Sequence, residues 1–163
     1  MSDTAWLAGF WDGEGSIGIA KDRTTLILRC QLSSTCHETV THILRILEAR
    51  EINGRGYTYQ ERDPEKHMDA HYLRITGTAN ILKFARMIRP HLITKRRQCE
   101  IAIEWAERRI EKAGGLDCNG RLRKSGIPIP YDDYELSLYA EMCEINRRGP
   151  DGRKRHKQGR INV

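Results

Sequence analysis

Two carboxylates separated by one residue stand near the start of the chain, in a glycine-rich segment. Asp12 and Glu14 alternate with Gly13 and Gly15, directly after the mainly apolar run of residues 5–11. A carboxylate at a glycine-rich helix end can hold a hard cation such as Mg²⁺, which takes oxygen ligands and keeps several waters. Positions two apart on a helix point to different faces, so only one acid is expected to enter a shared site. The alternative is that both acids merely end a helix.

The hydrophobic pattern predicts the elements that would position these acids. Ser2, Asp3 or Thr4 can cap a first helix that runs to about Gly13. Period-two alternation predicts strands, and apolar residues at helical spacing predict the helices between them. The predicted order is α-β-β-α-β-β-α, which favours an α+β domain with four strands in one sheet and helices on one face. The expected helices span about 4–13, 38–50, 78–89 and 95–113, and the expected strands 15–21, 26–33, 56–62 and 70–76.

The last third of the chain has a different character. We therefore divide the sequence into a core at 1–115 and a basic C-terminal extension at 116–163, with one helix at about 131–148. The tail after Gly149 and Pro150 is rich in Lys and Arg, and it is expected to order only on contact with phosphate. A solvated tail without a role is the alternative.

Composition narrows the class of protein. The chain has 163 residues, a formal charge of +6 and a pI of about 9.2, which favours a polyanionic partner. The sequence contains neither an apolar run near the ~20 residues of a membrane span nor a secretory signal pattern. Five scattered cysteines without a C-x-x-C pair predict a reducing, intracellular compartment, with Cys30 and Cys99 in the core. Cytoplasm and organelle are not distinguished.

The segment 7–15 resembles the signature of the LAGLIDADG homing endonucleases. Five positions match it letter for letter, and Phe10, Trp11, Gly13 and Glu14 are replacements of a kind that the family shows. The predicted order of elements is also that of the family fold, whose antiparallel sheet is saddle-like, so the resemblance covers about residues 4–113. The motif occurs once, which indicates the homodimeric branch. The matching residues are Leu7, Ala8, Gly9, Asp12 and Gly15.

The resemblance implies a site-specific endonuclease that cuts double-stranded DNA and is encoded in an intron. It implies that Glu14 binds the metal, Mg²⁺ or a substitute such as Mn²⁺, beside the carbonyl of Gly13. Asp12 would be structural, near the helix interface or capping backbone. Two copies of the first helix would pack at Ala8, Gly9 and Asp12, because glycines four apart let helices approach closely. The metal ions would then be shared at the dimer axis.

A second segment, 89–98, resembles the family stretch that enters a long helix. Lys95 occupies the position of a lysine that polarises water or offsets charge at phosphate, and Arg96 and Arg97 are candidate phosphate contacts. The alternative is a basic helix start, although basic residues there oppose the helix dipole. Ser34 is the best match to a water-organising Gln-type residue. The family's next basic position is lost, unless His37 serves.

The polar face of the sheet is expected to lie along DNA. Arg and Gln can read guanine and adenine edges in the major groove, and a dimer would read a long, roughly palindromic target. An ordinary wet sheet face is the alternative. The predicted DNA-facing residues are Lys21, Arg23, Arg29, Gln31, Ser33, Tyr57, Tyr59, Glu61, Tyr72, Arg74 and Thr76, together with Arg96 and Arg97.

Two functions stay open at this point. One is the metal-dependent endonuclease just described. The other is a binding protein on the same fold, either a maturase that acts on intron RNA or a regulator that has lost cleavage. The presence of both Glu14 and Lys95 favours cleavage, because a non-cleaving relative would be free to lose them.

Overall fold

The computed structural model describes residues 2–59, 69–124 and 128–147. In these ranges the chain forms a four-stranded sheet and five α-helices, and a 3₁₀ turn at Arg89–His91 follows the third helix. The elements in chain order are α1 (Asp3–Glu14), β1 (Gly15–Asp22), β2 (Thr25–Ser34), α2 (His37–Glu48), β3 (Gly54–Tyr59), β4 (Ala70–Ile75), α3 (Thr78–Ile88), α4 (Arg96–Lys112) and α5 (Asp133–Ile145).

The sheet is antiparallel throughout, with strand order β1-β2-β4-β3. One face carries the core, where Ile17, Cys30, Leu32, Leu73 and Ile75 are buried under the helices. The opposite face carries the polar residues of each strand. The predicted α+β architecture, with four antiparallel strands and helices on one face, is therefore confirmed.

Helix α1 begins and ends where its sequence requires. The Ser2 hydroxyl accepts a hydrogen bond from the Ala5 amide at 3.3 Å and caps the first turn. Leu7, Ala8 and Trp11 are buried. At the other end, a Cβ on Gly15 would lie 2.5 Å from the Trp11 ring, so only glycine fits there. Strand β1 starts at Gly15, which fixes Glu14 between the helix and the sheet.

The two core cysteines are buried as expected. Burial raises the pKa of the Cys30 thiol well above its usual range and raises the pKa of Cys99 to about 12. Both thiols are therefore protonated at neutral pH and pack as small apolar side chains.

Helix α5 packs against the rest of the domain. Leu138 and Met142 belong to the same buried core as the sheet. The buried Glu135 carboxylate pairs with Arg109 and Lys112 of α4, at 3.2 and 2.5 Å. Residues 131–147 thus extend the core at 1–115, and the observed helix is shorter than the predicted 131–148. Among the described residues, none of the helices has the length and apolar character that crossing a membrane requires.

Candidate active site

The carboxylate of Glu14 lies at the exposed C-terminal end of α1. Gly13 and Glu14 are both solvent-exposed, and within the described ranges the Glu14 side chain has no hydrogen-bond or ion-pair partner. Glu14 lines a cavity of about 750 Å³ together with Gly13, Lys95 and residues of the polar sheet face. The structure therefore brings the predicted metal ligand and the predicted catalytic lysine into one cavity.

Asp12 has a different role, because its carboxylate anchors the segment that leads into α4. Its Oδ2 accepts hydrogen bonds from the amides of Ile93 (2.6 Å) and Thr94 (3.2 Å), and its Oδ1 accepts one from the Lys95 amide at 2.9 Å. Burial opposes ionisation of Asp12, but these hydrogen bonds outweigh it and lower its pKa. The expected capping of backbone by Asp12 is what the geometry shows.

Lys95 lines the same cavity as Glu14 and is also held by Asp12. Its backbone is the N-cap of α4, and its Nζ donates to the carbonyl oxygen of Asp12. That carbonyl belongs to the last turn of α1, where the helix dipole favours a cation. The side chain of Lys95 is half-buried, so its charge is kept at the wall of the cavity.

The donor set of one chain fits half of a metal site. The Glu14 carboxylate and the adjacent Gly13 carbonyl are oxygen ligands of the kind that Mg²⁺ prefers. Across the described ranges, however, no three His, Cys, Asp or Glu side chains cluster as metal ligands would. Further ligands must therefore come from outside the described chain, such as a second copy, nucleic acid or water.

The polar sheet face adjoins this cavity. Strand pairing places Ser16, Gln31, Arg74 and Arg55 in one row across all four strands. The next row contains Ser33, Tyr72 and Tyr57, and the rings of Tyr57 and Tyr72 stack with centroids 5.2 Å apart. The predicted positions of the face at the cavity are Arg29, Gln31, Ser33 and Tyr72.

Three of the sequence predictions do not match the positions of the side chains. Ser34 lies on the helix side of β2, and its hydroxyl accepts a hydrogen bond of 3.1 Å from the Cys36 amide. It therefore does not line the cavity that contains Glu14 and Lys95. Arg97 forms a two-pronged pair with Glu141 of α5 at 2.7 and 2.8 Å, which makes it a structural residue rather than a free phosphate contact. Lys21 pairs with Leu26 and so lies on the helix side of β1, at the hairpin end.

The other predicted DNA contacts divide into three groups. Tyr59, Thr76 and Arg96 are exposed, and Arg23 is exposed in the β1–β2 turn with a φ of 53°. Arg74 is half-buried, and its Nε has no hydrogen-bond partner among the described residues. Glu61 lies outside the described residues.

The sequence reasoning missed two features of the site. Arg55 belongs to the polar face, because β3 begins at Gly54 rather than at Gly56. Its alternation with Tyr57 and Tyr59 is the signal that would have found it. The end of α5 also lines the cavity, through Ile145, Asn146 and Arg147. No local sequence signal indicates this contact, because 129 residues separate Asn146 from its partner Ile17.

The predicted interface residues on α1 are not equally accessible. Ala8 is fully buried inside its own chain, so it supports the helix from within and cannot present a surface to another copy. Gly9 and Gly13 are exposed, and a Cβ on either would meet nothing within 4 Å. The open surface of α1 therefore follows the two glycines.

Comparison with known families agrees with the fold. Residues 2–89 match the model of the LAGLIDADG-like domain, which is more than half of the chain. The chain therefore belongs to the LAGLIDADG family, and the resemblance of segment 7–15 to that signature is confirmed. A comparison with curated protein sequences finds no match.

Solved structures of homing endonucleases share this fold at low sequence identity. I-CvuI in complex with a DNA target has 15% identity and a TM-score of 0.59, over 98% of this chain and 96% of its own. The archaeal intron-encoded I-Vdi141I, complexed with DNA, has 16% identity and a TM-score of 0.64, over 90% and 85%. The LAGLIDADG meganuclease I-AabMI, bound to uncleaved DNA, has 17% identity and a TM-score of 0.59. That match covers 99% of this chain but only 51% of I-AabMI.

Proposed function

We propose that the protein is a homodimeric homing endonuclease that hydrolyses both strands of a specific DNA site with divalent metal ions, Mg²⁺ in the first place. The observation that carries this proposal is the Glu14 carboxylate, which has no partner among the described residues and lines one cavity with Lys95 and the polar sheet face. A carboxylate can hold a metal ion for phosphodiester hydrolysis, a nearby cation can offset charge at the phosphate, and a polar surface can bind the DNA. The names of I-CvuI and I-Vdi141I as homing endonucleases support the same activity.

Two observations support a dimer that shares its site across α1. The stripe of Gly9 and Gly13 leaves room for close approach of a second helix. The backbone amide of Ile93 donates a hydrogen bond to Asp12, which places Ile93 next to the C-terminal end of α1. Ile93 is 86% exposed, which is unusual for a large apolar side chain. A two-fold axis along this stripe would bring two Glu14 side chains together, one from each copy.

The relation to I-AabMI supports the same arrangement. This chain covers nearly all of I-CvuI but about half of I-AabMI, so one chain supplies one fold where the longer protein has room for two. Two copies of this chain would reach the size of the longer protein.

The residues of the chain have separate roles in the proposed reaction. Glu14 and the Gly13 carbonyl would hold the metal ion, which supplies an activated water and charge stabilisation at the scissile phosphate. Lys95, fixed by its bond to the Asp12 carbonyl, offers a positive charge to the phosphate oxygens as negative charge builds on them. Asp12 also holds the backbone of Lys95, because its Oδ1 accepts a hydrogen bond from the Lys95 amide.

The sheet face would select the target. Gln31 and Arg29 can make two hydrogen bonds each to adenine and guanine edges, worth about 1–3 kcal/mol of discrimination per base pair. Arg74 has an Nε–H without a partner among the described residues, and a DNA acceptor would remove the cost of that buried donor. Arg55 extends this row to the outer strand.

Cleavage of a randomised duplex library tests the proposed function directly. The wild-type protein is incubated with the library and Mg²⁺, and cut ends are sequenced to reveal a long, roughly palindromic site. The Glu14→Gln variant should leave no detectable cutting, because the metal ligand is lost, and should bind the recovered site with nearly unchanged affinity. Folded protein that cuts no duplex, or a Glu14→Gln variant that cuts normally, would refute the proposal. Binding and cleavage are also measured with an RNA transcript of the same library. Activity on RNA but not on DNA would indicate an RNA-directed role instead of an endonuclease.

A further inference from the structure

Helix α5 contacts both of the elements that carry the site. Near its C-terminal end, the Asn146 Nδ2 donates a hydrogen bond of 2.9 Å to the carbonyl oxygen of Ile17, three residues after Glu14. One turn earlier, Glu141 holds Arg97, two residues after Lys95. The helix therefore connects the start of β1, which follows Glu14, to the start of α4, which follows Lys95.

The contact at Ile17 occurs where β1 has no strand beside it. Strand β1 lies at the edge of the sheet, with β2 on its inner side only. Its outward carbonyls need another partner, and Asn146 supplies one for Ile17. The Ile17 side chain is buried in the core, and its carbonyl oxygen is held by Asn146. The position of β1 is therefore fixed by both contacts.

The Asn146 side chain also lies close to Gly18. A Cβ on Gly18 would lie 3.3 Å from the Asn146 Nδ2, tighter than an ordinary contact. Glycine at position 18 thus leaves space for the amide to lie against the polar face of β1. Ile145, Asn146 and Arg147 then form part of the wall of the cavity that holds Glu14 and Lys95.

The contact at Arg97 involves two carboxylates. Glu141 binds the guanidinium through two hydrogen bonds, and Glu104 adds a third at 3.1 Å. The hydrogen bond from Arg97 lowers the pKa of Glu141, so the pair stays charged at neutral pH. Leu138 and Met142 anchor the same helix in the core, which makes α5 a rigid connection.

We infer that α5 is a clamp that acts together with Asp12 to fix the relative position of Glu14 and Lys95, with Asn146 and Glu141 as positioning residues for cleavage. This inference rests on the proposed endonuclease function. Neither residue is assigned to bind the metal or to donate a proton. Loss of either bond should let β1 or the start of α4 shift, which misplaces one half of the site relative to the other. Small displacements of this kind reduce the rate of reaction more than they reduce binding.

The first test uses Asn146→Leu, which keeps the volume of the side chain but removes the donor. The turnover number at saturating target DNA should fall at least about tenfold, while the Kd for DNA changes by less than about twofold. Asn146→Gln keeps an amide donor and should recover most of the rate. Gly18→Ala, which displaces the amide without changing Asn146, should reproduce the defect.

The second test uses the other end of the clamp. Glu141→Gln should lower the turnover number in the same way, because it removes the carboxylate that binds Arg97 through two hydrogen bonds. Glu107→Gln is the matched control, since Glu107 forms an exposed ion pair with Arg86 at 2.7 Å and does not line the cavity of Glu14 and Lys95. It should leave the rate unchanged. Equal losses of rate and affinity in Asn146→Leu, or no loss in either clamp variant, would overturn the inference.

A measurement independent of cleavage separates the clamp from the proposed function. Amide hydrogen exchange in residues 15–20 should quicken in Asn146→Leu, while exchange in the buried part of α4 stays as in the wild type. Unchanged protection of β1 would contradict the clamp even if the protein is a nuclease. Faster exchange in a protein that cuts no DNA would refute the endonuclease and with it the catalytic meaning of the clamp.

Discussion

Asp12 and Glu14 have opposite surroundings, although one residue separates them. Asp12 accepts three backbone hydrogen bonds from the segment before α4, whereas Glu14 is exposed and without a partner in the described chain. The helix geometry causes this difference, because positions two apart face about 200° away from each other. One acid therefore builds the site and the other is left free to act in it.

Replacement of Asp12 by Asn should destabilise the protein at pH 7 by about 1–3 kcal/mol, because one carboxylate oxygen that accepts an amide becomes a donor. The folded-state pKa of Asp12 is lowered, so its stabilising effect is present above the unfolded pKa of 3.8 and is lost as the pH falls through the lower folded value. Urea unfolding of both proteins at pH 7 and pH 3 measures the difference. A gap that does not narrow at pH 3 would contradict the ionic role of Asp12.

Replacement of Lys95 by Met should slow cleavage by about 10²-fold, the scale expected when one group that stabilises developing charge is removed. Binding should weaken by less than about threefold, because the sheet face remains. Single-turnover cleavage and fluorescence anisotropy on the same duplex give the two quantities. Equal losses in both would make Lys95 an ordinary phosphate contact. Lys83, exposed and distant from the cavity, provides the matched Lys→Met control.

At the scale of elements, the junction between α1 and β1 controls where Glu14 lies. No residue intervenes between the helix and the strand, and Gly15 packs directly on the ring of Trp11. Trp11 is fully buried and meets Phe84 of α3 edge to face, with ring centroids 4.5 Å apart. A ring so enclosed has little freedom to move aside.

Gly15→Ala should therefore destabilise the fold by about 1–3 kcal/mol through overpacking. It should also lower the cleavage rate, since any shift of the junction moves Glu14. Thermal unfolding and cleavage of the same samples test both effects. Gly13→Ala is the control for the unfolding measurement alone, because a Cβ there would meet nothing within 4 Å among the described residues. A Gly15→Ala protein as stable as the wild type would show that the junction can relax.

The elements were largely predictable because each depends on local pattern. Alternation in β2 and the cap at Ser2 place their elements correctly. The partners of Arg97 and Ser34 were not predictable from the local sequence, because tertiary packing determines which side chains meet. Glu141 lies 44 residues beyond Arg97, and nothing near Arg97 in the sequence indicates that pairing. Arg55 was missed because the flanking glycines hide the start of β3.

At the scale of the whole molecule, the proposed function assigns to one chain a DNA-reading surface and half of a metal site. Gly9→Leu tests whether the other half comes from a second copy. A Cβ at position 9 would meet nothing within 4 Å among the described residues, and Gly9 is exposed, so the unfolding temperature of the monomer should not fall. Dimerisation should weaken by at least about 100-fold, or about 2.8 kcal/mol, because the bulk separates the two helices.

Analytical ultracentrifugation over a concentration series checks this prediction. The wild type should sediment at twice 18.9 kDa and the Gly9→Leu variant nearer to one chain mass. Cleavage should be lost in parallel with dimerisation. A wild-type protein that remains monomeric on its target duplex would exclude the shared site, and an intact Gly9→Leu dimer would move the interface away from α1.

The close contact between Gly18 and Asn146 limits how the specificity of the protein can be redesigned. Position 18 faces the polar side of β1 opposite Arg29, so it is a natural place to add a side chain that reads another base. Any such side chain would compete with the Asn146 amide, and a gain in recognition would come with a loss of rate. Ala20 and Ile27 form the neighbouring row without this conflict. Retargeting should therefore start from that row, where recognition and turnover can be changed separately.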